Sequence, residues 1–174
     1  TLFFTGLSGS GKSAIVNGVA AKLHEKTFRS VTTLDGDDVR TFLSSELGFS
    51  KEHRDLNIQR IGYVSSLVNQ AGGIVLTAAI APYRNTRDIA KQLVEKSTAD
   101  FVEVFVDASV ETCESRDVKG LYKQARQGII PNFTGISDPY EEPLNPDIHI
   151  KTDESTLQES IAVVLEYLEN ENYI

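Results

Sequence analysis

The octapeptide Gly6-Leu7-Ser8-Gly9-Ser10-Gly11-Lys12-Ser13 constrains this chain more than any other stretch. Its spacing is G-x-x-x-x-G-K-[ST]. The glycines let the backbone curl until several N–H groups face one anion at a helix N-terminus, where the helix dipole adds favourable potential. The flanks have the order such a loop requires. Residues 1–5 are an apolar run suited to a buried strand, and over residues 14–26 Ile15, Val19 and Leu23 recur at helical spacing. Residues 6–13 therefore form a candidate nucleotide cradle, with Lys12 reaching the terminal phosphates and the Ser13 hydroxyl ligating Mg²⁺. A Gly/Ser-rich turn that matched by chance would have no reason to sit between a strand and a helix.

A chain of 174 residues falls within the usual size of one domain, and we expect a single domain over residues 1–174. The lone Cys113 excludes an intramolecular disulfide, and no run approaches a membrane span or a signal peptide, so a reducing, cytoplasmic setting is expected. No initiator Met is present, which fits a piece of a longer protein or a chain without a leader. The net charge of −8 is unevenly spread: residues 138–174 hold ten Asp/Glu and one Lys, a net of −9, leaving +1 on residues 1–137. Acidity thus belongs to a solvated end region. Anionic ligands remain compatible with the rest, while no basic stripe supports a nucleic-acid partner.

Polar residues gather wherever an apolar run ends. Residues 30–34 read as a second strand running into Asp35, Gly36, Asp37, Asp38 and Arg40. In open parallel sheets ligands sit beyond the carboxyl ends of the strands, which assigns these acids to Mg²⁺ handling or to a base. The competing reading is an acidic helix N-cap, preferred for Asp38. A long helix follows to residue 70, capped by Ser50, with Ile61, Val64, Leu67 and Val68 as its inward stripe. Arg54, Asn57 and Ile61 share one face, to be read either as a ligand contact or as a solvated charged face.

Residues 74–80 are a continuous apolar run typical of a central parallel strand. Residues 101–107 and 147–150 complete five strands, and Leu157, Ile161, Val164, Leu165 and Leu168 mark the apolar face of the last helix. Strands alternating with helices give an α/β, doubly wound parallel sheet with helices on both faces. Residues 117–146 are too long for an ordinary connection. With Lys119, Lys123 and Arg126, three glycines and the aromatics Tyr122 and Phe133, they read as a basic lid, or else as a disordered loop. His24, His53 and His149 lack ligand-spaced companions, so a metal site built on histidine is not expected.

Taken together, GLSGSGKS, LDGDDVR (34–40), LGFSKEHRDLNIQRIG (47–62), APYRNTRD (81–88), FVDA (105–108) and RDVKGLYKQARQGIIPNFTGISDPYE (116–141) resemble the adenylylsulfate kinase family along nearly the whole chain. The resemblance implies a P-loop kinase fold, usually dimeric, that moves the γ-phosphoryl of MgATP to the 3′-hydroxyl of adenylylsulfate. It implies Asp37 as base or hydrogen-bond acceptor for that hydroxyl, and Asp35 beside Mg²⁺. Arg40, Arg54 and Asn57 would hold the adenylylsulfate anion, with Ile80 as a further contact. Phe49 and Phe133 would sandwich its adenine, and Lys119 would reach phosphates from the lid.

Two positions depart from the family pattern. Asp38 stands where an Asn is usual, and Ala81 stands where a serine described as a phosphoserine intermediate is common. Ala81 has no hydroxyl, so direct transfer is expected. The alternatives are a catalytically silent, kinase-like regulatory domain that binds a sulfonucleotide, or a P-loop kinase for another small alcohol such as gluconate or shikimate. Fusion to or association with an ATP sulfurylase domain is a further possibility of the resemblance.

Overall fold

The structure is a computed structural model and describes residues 1–117 and 119–174; residue 118, inside the expected lid, lies outside the described residues. Five parallel strands form one sheet in the order β2-β3-β1-β4-β5. They are β1 (Leu2–Thr5), β2 (Val31–Asp35), β3 (Ile74–Ala78), β4 (Val102–Asp107) and β5 (Ile148–Lys151). The central β1 and β3 are buried at every position, because helices cover both faces. The edge strand β5 alternates instead, with Ile148 and Ile150 inward and His149 and Lys151 outward.

On one face, α1 (Lys12–Lys26) and α7 (Leu157–Asn170) bury Ile15, Val19, Leu23, Val164 and Leu168 against the even side chains of β1 and β3. Each such aliphatic side chain contributes about 1.5–3 kcal/mol on full burial. Leu157 leaves the expected stripe of α7, being 42% exposed at the mouth of the large cavity described below. The other face carries α2 (Gly36–Phe42), α3 (Lys51–Gln70) and α4 (Arg84–Glu95), packed on Phe3, Val39, Ile58, Ile61, Ala90 and Val94. Ser50 caps α3 as expected, its hydroxyl accepting from the His53 N–H at 3.3 Å.

The inward stripe of α3 corrects the sequence reading. Ile58, Ile61, Gly62 and Ser65 face inward, whereas Leu67 is 46% exposed and Val64 and Val68 are half-buried. Small residues decided the face: a Cβ on Gly62 would stand 2.8 Å from the Ala90 Cα, so α3 and α4 touch almost backbone to backbone. The Ser65 hydroxyl donates to the Ile61 carbonyl at 2.8 Å and asks nothing of the interface.

Strand β3 also ends earlier than the apolar run suggests. Beyond Ala78 the chain turns so that the Ile80 carbonyl accepts from the Thr5 hydroxyl at 2.6 Å, and Ala81 takes a left-handed φ of 46°. A third cluster lies under the lid, where α5 (Val110–Arg116) and α6 (Leu121–Arg126) bury Cys113, Tyr122, Ala125 and Phe133 with Leu7. The long connection is thus docked on the phosphate loop.

Gly62→Val should destabilise the fold by about 1–3 kcal/mol, because the added carbons must separate α3 from α4. A urea midpoint equal to that of the parent would show that this helix contact is not tight.

Candidate functional site

The loop between β1 and α1 is built on a close backbone approach. Gly6 has φ 151°, and a Cβ there would lie 2.2 Å from the Val106 carbonyl oxygen of β4, so no side chain fits. Gly11, left-handed at φ 101°, is the N-cap of α1 and offers no capping side chain. The first N–H groups of α1 are therefore left for an anion.

Lys12 opens the helix and is buried, its ammonium donating to the Leu7 carbonyl at 2.6 Å. Burial lowers its pKa to about 8, although Cys113, Asp35 and Asp37 pull the other way. Ser13 donates to Asp35 Oδ2 at 2.6 Å. Asp35 ends β2 and also caps α2, its Oδ1 accepting from the Asp37 N–H at 2.9 Å. The capping role given to Asp38 thus falls on Asp35, and Asp38 lies in the first turn of α2. Lys119 reaches across from the lid and pairs with the exposed Asp37.

Opposite the loop, α2 and α3 bring the remaining predicted residues together. The Arg40 guanidinium sits 4.4 Å above the Phe49 ring and donates to the Gly48 carbonyl at 2.9 Å. Arg54 is buried and tied to the lid: its Nη1 meets Thr134 Oγ1 and Asp138 Oδ2, each at 3.0 Å, and Nη2 donates to the Asn132 carbonyl. Asn57 Oδ1 is a buried acceptor with no partner among the described residues. An orphaned buried acceptor is costly, and here it borders a cavity where a ligand donor would satisfy it. Phe49 is exposed, whereas Phe133 is buried and meets Tyr122 edge-on at 5.0 Å.

One cavity of about 1020 Å³ joins the phosphate loop, Asp35, Asp37, Arg40, Phe49, Arg54, Asn57, Ile80, Lys119 and Phe133. That is at the upper end of the range for a single small-molecule pocket. Two lid cations do not reach it: Arg126 is held by Glu114 through two contacts of 3.0 Å on the outer surface, and Lys123 stays exposed outside the cavity.

Among the lining residues that escaped the sequence reading are Arg116 and Thr152. Arg116 donates to the Gly9 carbonyl at 3.2 Å and to the Thr152 carbonyl at 2.9 Å. Its only signal was its place at the head of the RDVKG stretch, and Thr152 gave none. Ala81 lies in the cavity wall, 2% exposed.

A model of the family described as adenylylsulphate kinase matches residues 1–151. The adenylyl-sulfate kinase of Halothermothrix orenii is 50% identical over 174 residues, covering 100% of this chain and 91% of that protein. Among solved structures, the Mycobacterium tuberculosis APS kinase CysC in complex with AMPPNP and APS is 42% identical with a TM-score of 0.92, covering 97% of this chain and 96% of that one. A gluconokinase from Sinorhizobium meliloti, 17% identical with a TM-score of 0.66 over 99% of this chain and 94% of its own, shares the fold alone.

The Lys12 environment sets a pH signature. A polyphosphate beside the ammonium favours its charged form, so binding takes up a proton wherever the empty site holds the neutral amine, that is, above about pH 8. Titration calorimetry of a nucleoside triphosphate in buffers of different ionisation heat should show, relative to pH 7, an added uptake of roughly two thirds of a proton at pH 8.5. Lys12→Met should abolish that increment. Equal increments in parent and variant would refute the assignment to Lys12.

Proposed function

The chain belongs to the adenylylsulphate kinase family, and on that premise we propose that it transfers the γ-phosphoryl of ATP to the 3′-hydroxyl of adenosine 5′-phosphosulfate, giving 3′-phosphoadenylylsulfate. The observation that carries the reading is the single cavity that holds the phosphate loop on one side and Arg54, the orphaned Asn57 carbonyl oxygen, Phe49 and Phe133 on the other. One side suits the donor triphosphate and the other an anionic, aromatic acceptor. Residues 1–174 would act as one P-loop kinase unit with residues 117–146 as its lid. ATP as co-substrate and a buried, unpaired thiol at Cys113 fit a cytoplasmic enzyme.

In this reading the acceptor 3′-oxygen forms a bond to the γ-phosphorus while the bond from that phosphorus to the β,γ-bridging oxygen breaks. The hydroxyl proton passes to the Asp37 carboxylate. Lys12 and the α1 amides hold the β- and γ-phosphates, and Lys119 turns from Asp37 to the transferring group. Positioning and fixed positive charge supply most of the acceleration in such transfers. Ser13 and Asp35, a hydroxyl and a carboxylate 2.6 Å apart, are a hard-oxygen pair fit for Mg²⁺, which prefers one or two carboxylates together with substrate phosphates. Bound there, Mg²⁺ would neutralise charge on the phosphates. Arg116 and Thr152 border the donor side.

A homodimer is part of the proposal. Phe42 and Leu43 at the end of α2 and Leu56, Tyr63 and Leu67 on the outer face of α3 are exposed around Arg60, which bonds to the Leu43 carbonyl at 2.8 Å. An apolar patch of this kind, rimmed by the Arg60–Glu46 ion pair, suits a self-complementary two-fold contact. Tyr63→Glu should shift the sedimentation coefficient from dimer to monomer, and a parent that sediments as a monomer would exclude the assignment.

The activity is checked with γ-labelled ATP. With adenosine 5′-phosphosulfate the label should appear in 3′-phosphoadenylylsulfate, and without acceptor no acid-stable label should remain on the protein, since Ala81 has no hydroxyl. Asp37→Asn should lower kcat about 10²–10⁴-fold. Transfer to gluconate or shikimate alone, or nucleotide binding without turnover, would replace this function with a different kinase or a silent regulatory domain.

A further inference from the structure

Arg87, on the inner side of α4, is 2% exposed, and each of its three nitrogen groups has a partner on a different segment. Nε meets Glu103 Oε1 of β4 at 2.8 Å, Nη1 donates to the Ala81 carbonyl at 2.8 Å, and Nη2 donates to the Glu141 carbonyl at 2.8 Å. Two of those partners are backbone oxygens. One belongs to the cavity wall after β3 and the other to the segment by which the lid rejoins the fold.

The same two segments are stitched together around the guanidinium. Glu141 donates its N–H to the Pro82 carbonyl at 2.8 Å, and its carboxylate accepts from the Arg84 N–H at 2.9 Å. The Tyr140 ring lies 5.9 Å from the guanidinium, and its hydroxyl bonds to the Thr5 hydroxyl at 2.9 Å. That hydroxyl in turn donates to the Ile80 carbonyl at 2.6 Å. Ala81 between them keeps a left-handed φ of 46°, a conformation that persists only where its surroundings over-determine it.

We propose that Arg87 is a positioning residue for the acceptor, locking the wall at Ile80 and Ala81 to the lid root at Tyr140 and Glu141 so that both hold one geometry. The proposal rests on the kinase reading above for the identity of the acceptor. A buried cation is a poor choice for stability alone, because an apolar side chain of similar volume often does as well. A planar fork with donors in fixed directions does what an apolar residue cannot: it sets the spacing of two backbone segments and one carboxylate. Lysine keeps the charge but offers no such fork, so it is the discriminating substitution.

The test compares the parent protein with Arg87→Lys, Arg87→Met and Glu103→Gln, measuring steady-state kinetics, binding of a non-hydrolysable ATP analogue, thermal midpoint and amide hydrogen exchange. In Arg87→Lys, kcat/KM for adenosine 5′-phosphosulfate should fall on the order of a hundredfold, as a displacement of about 1 Å in a positioning wall does. Analogue affinity should change by less than about threefold, since the phosphate loop is untouched. Exchange at the Arg84 and Glu141 amides should rise together, with that of α7 unchanged. Glu103→Gln, which keeps an acceptor for Nε, should lie between parent and Arg87→Lys.

Kinetics in Arg87→Lys equal to the parent's would overturn the proposal, and so would acceptor and ATP constants that worsen in parallel with the thermal midpoint. If Arg87→Met does not fold, Arg87→Lys and Glu103→Gln decide. If the parent phosphorylates no adenosine 5′-phosphosulfate, the kinase reading fails separately. Hydrogen exchange then decides: a joint rise at Arg84 and Glu141 supports the lock, and independent or absent changes reject it.

Discussion

The approach of Gly6 to the Val106 carbonyl is the constraint from which the site grows. Because β1 lies between β3 and β4, the chain leaving β1 must pass over a neighbouring strand, and only a residue without Cβ can do so at that distance. The turn places the open N-terminus of α1 at the middle of the sheet's carboxyl edge, where Asp35 from β2 and the segment after β3 also end. The phosphate loop, the acidic cluster and the cavity wall after β3 thus converge through strand order, with no one segment long enough to reach the others.

The cations of the site are held by the protein's own oxygens. Lys12 sits on the Leu7 carbonyl, Lys119 on Asp37, and Arg54 on Asn132, Thr134 and Asp138. Holding charges this way avoids burying them unpaired and keeps them close to where phosphates and sulfate would lie. A ligand then exchanges one set of acceptors for another, which requires little reorganisation. The overall negative charge of the chain does not oppose this, because the excess acidity lies in residues 138–174, spread over the segments before and after β5 as well as α7.

The lid adds a second level of order. Tyr122 bonds to the Ser8 carbonyl at 2.7 Å, and Phe133 closes a small core with Leu7 and Cys113, so α6 rides on the phosphate loop. At its far end this connection returns along the segment after β3, where Arg87 and Tyr140 join it to the cavity wall at Ile80 and Ala81. The phosphate loop and the wall after β3 are thereby gripped by the two ends of one connection.

The sequence by itself determined the phosphate loop, the parallel sheet and the kinase family. The first is a local pattern of glycines, lysine and hydroxyl, the second follows from strands alternating with helices around one continuous apolar central strand, and the third from motifs spread along the chain. Asp35 and Asp37 were legible as residues facing the cavity because a strand end places them without knowledge of distant contacts, whereas helix spacing left Arg54 and Asn57 between a ligand contact and a solvated face, and only the family resemblance put them in the site. Tertiary structure alone decided that α3 turns Gly62 and Ser65 inward, since the tight contact with Ala90 outweighs the hydrophobicity of Leu67. It also decided that Arg116 and Thr152 line the cavity while Lys123 and Arg126 do not, and that Arg87 joins the wall to the lid. Each of these depends on a partner far away in the chain, and the reach of a side chain to such a partner is a property of packing that no local spacing encodes.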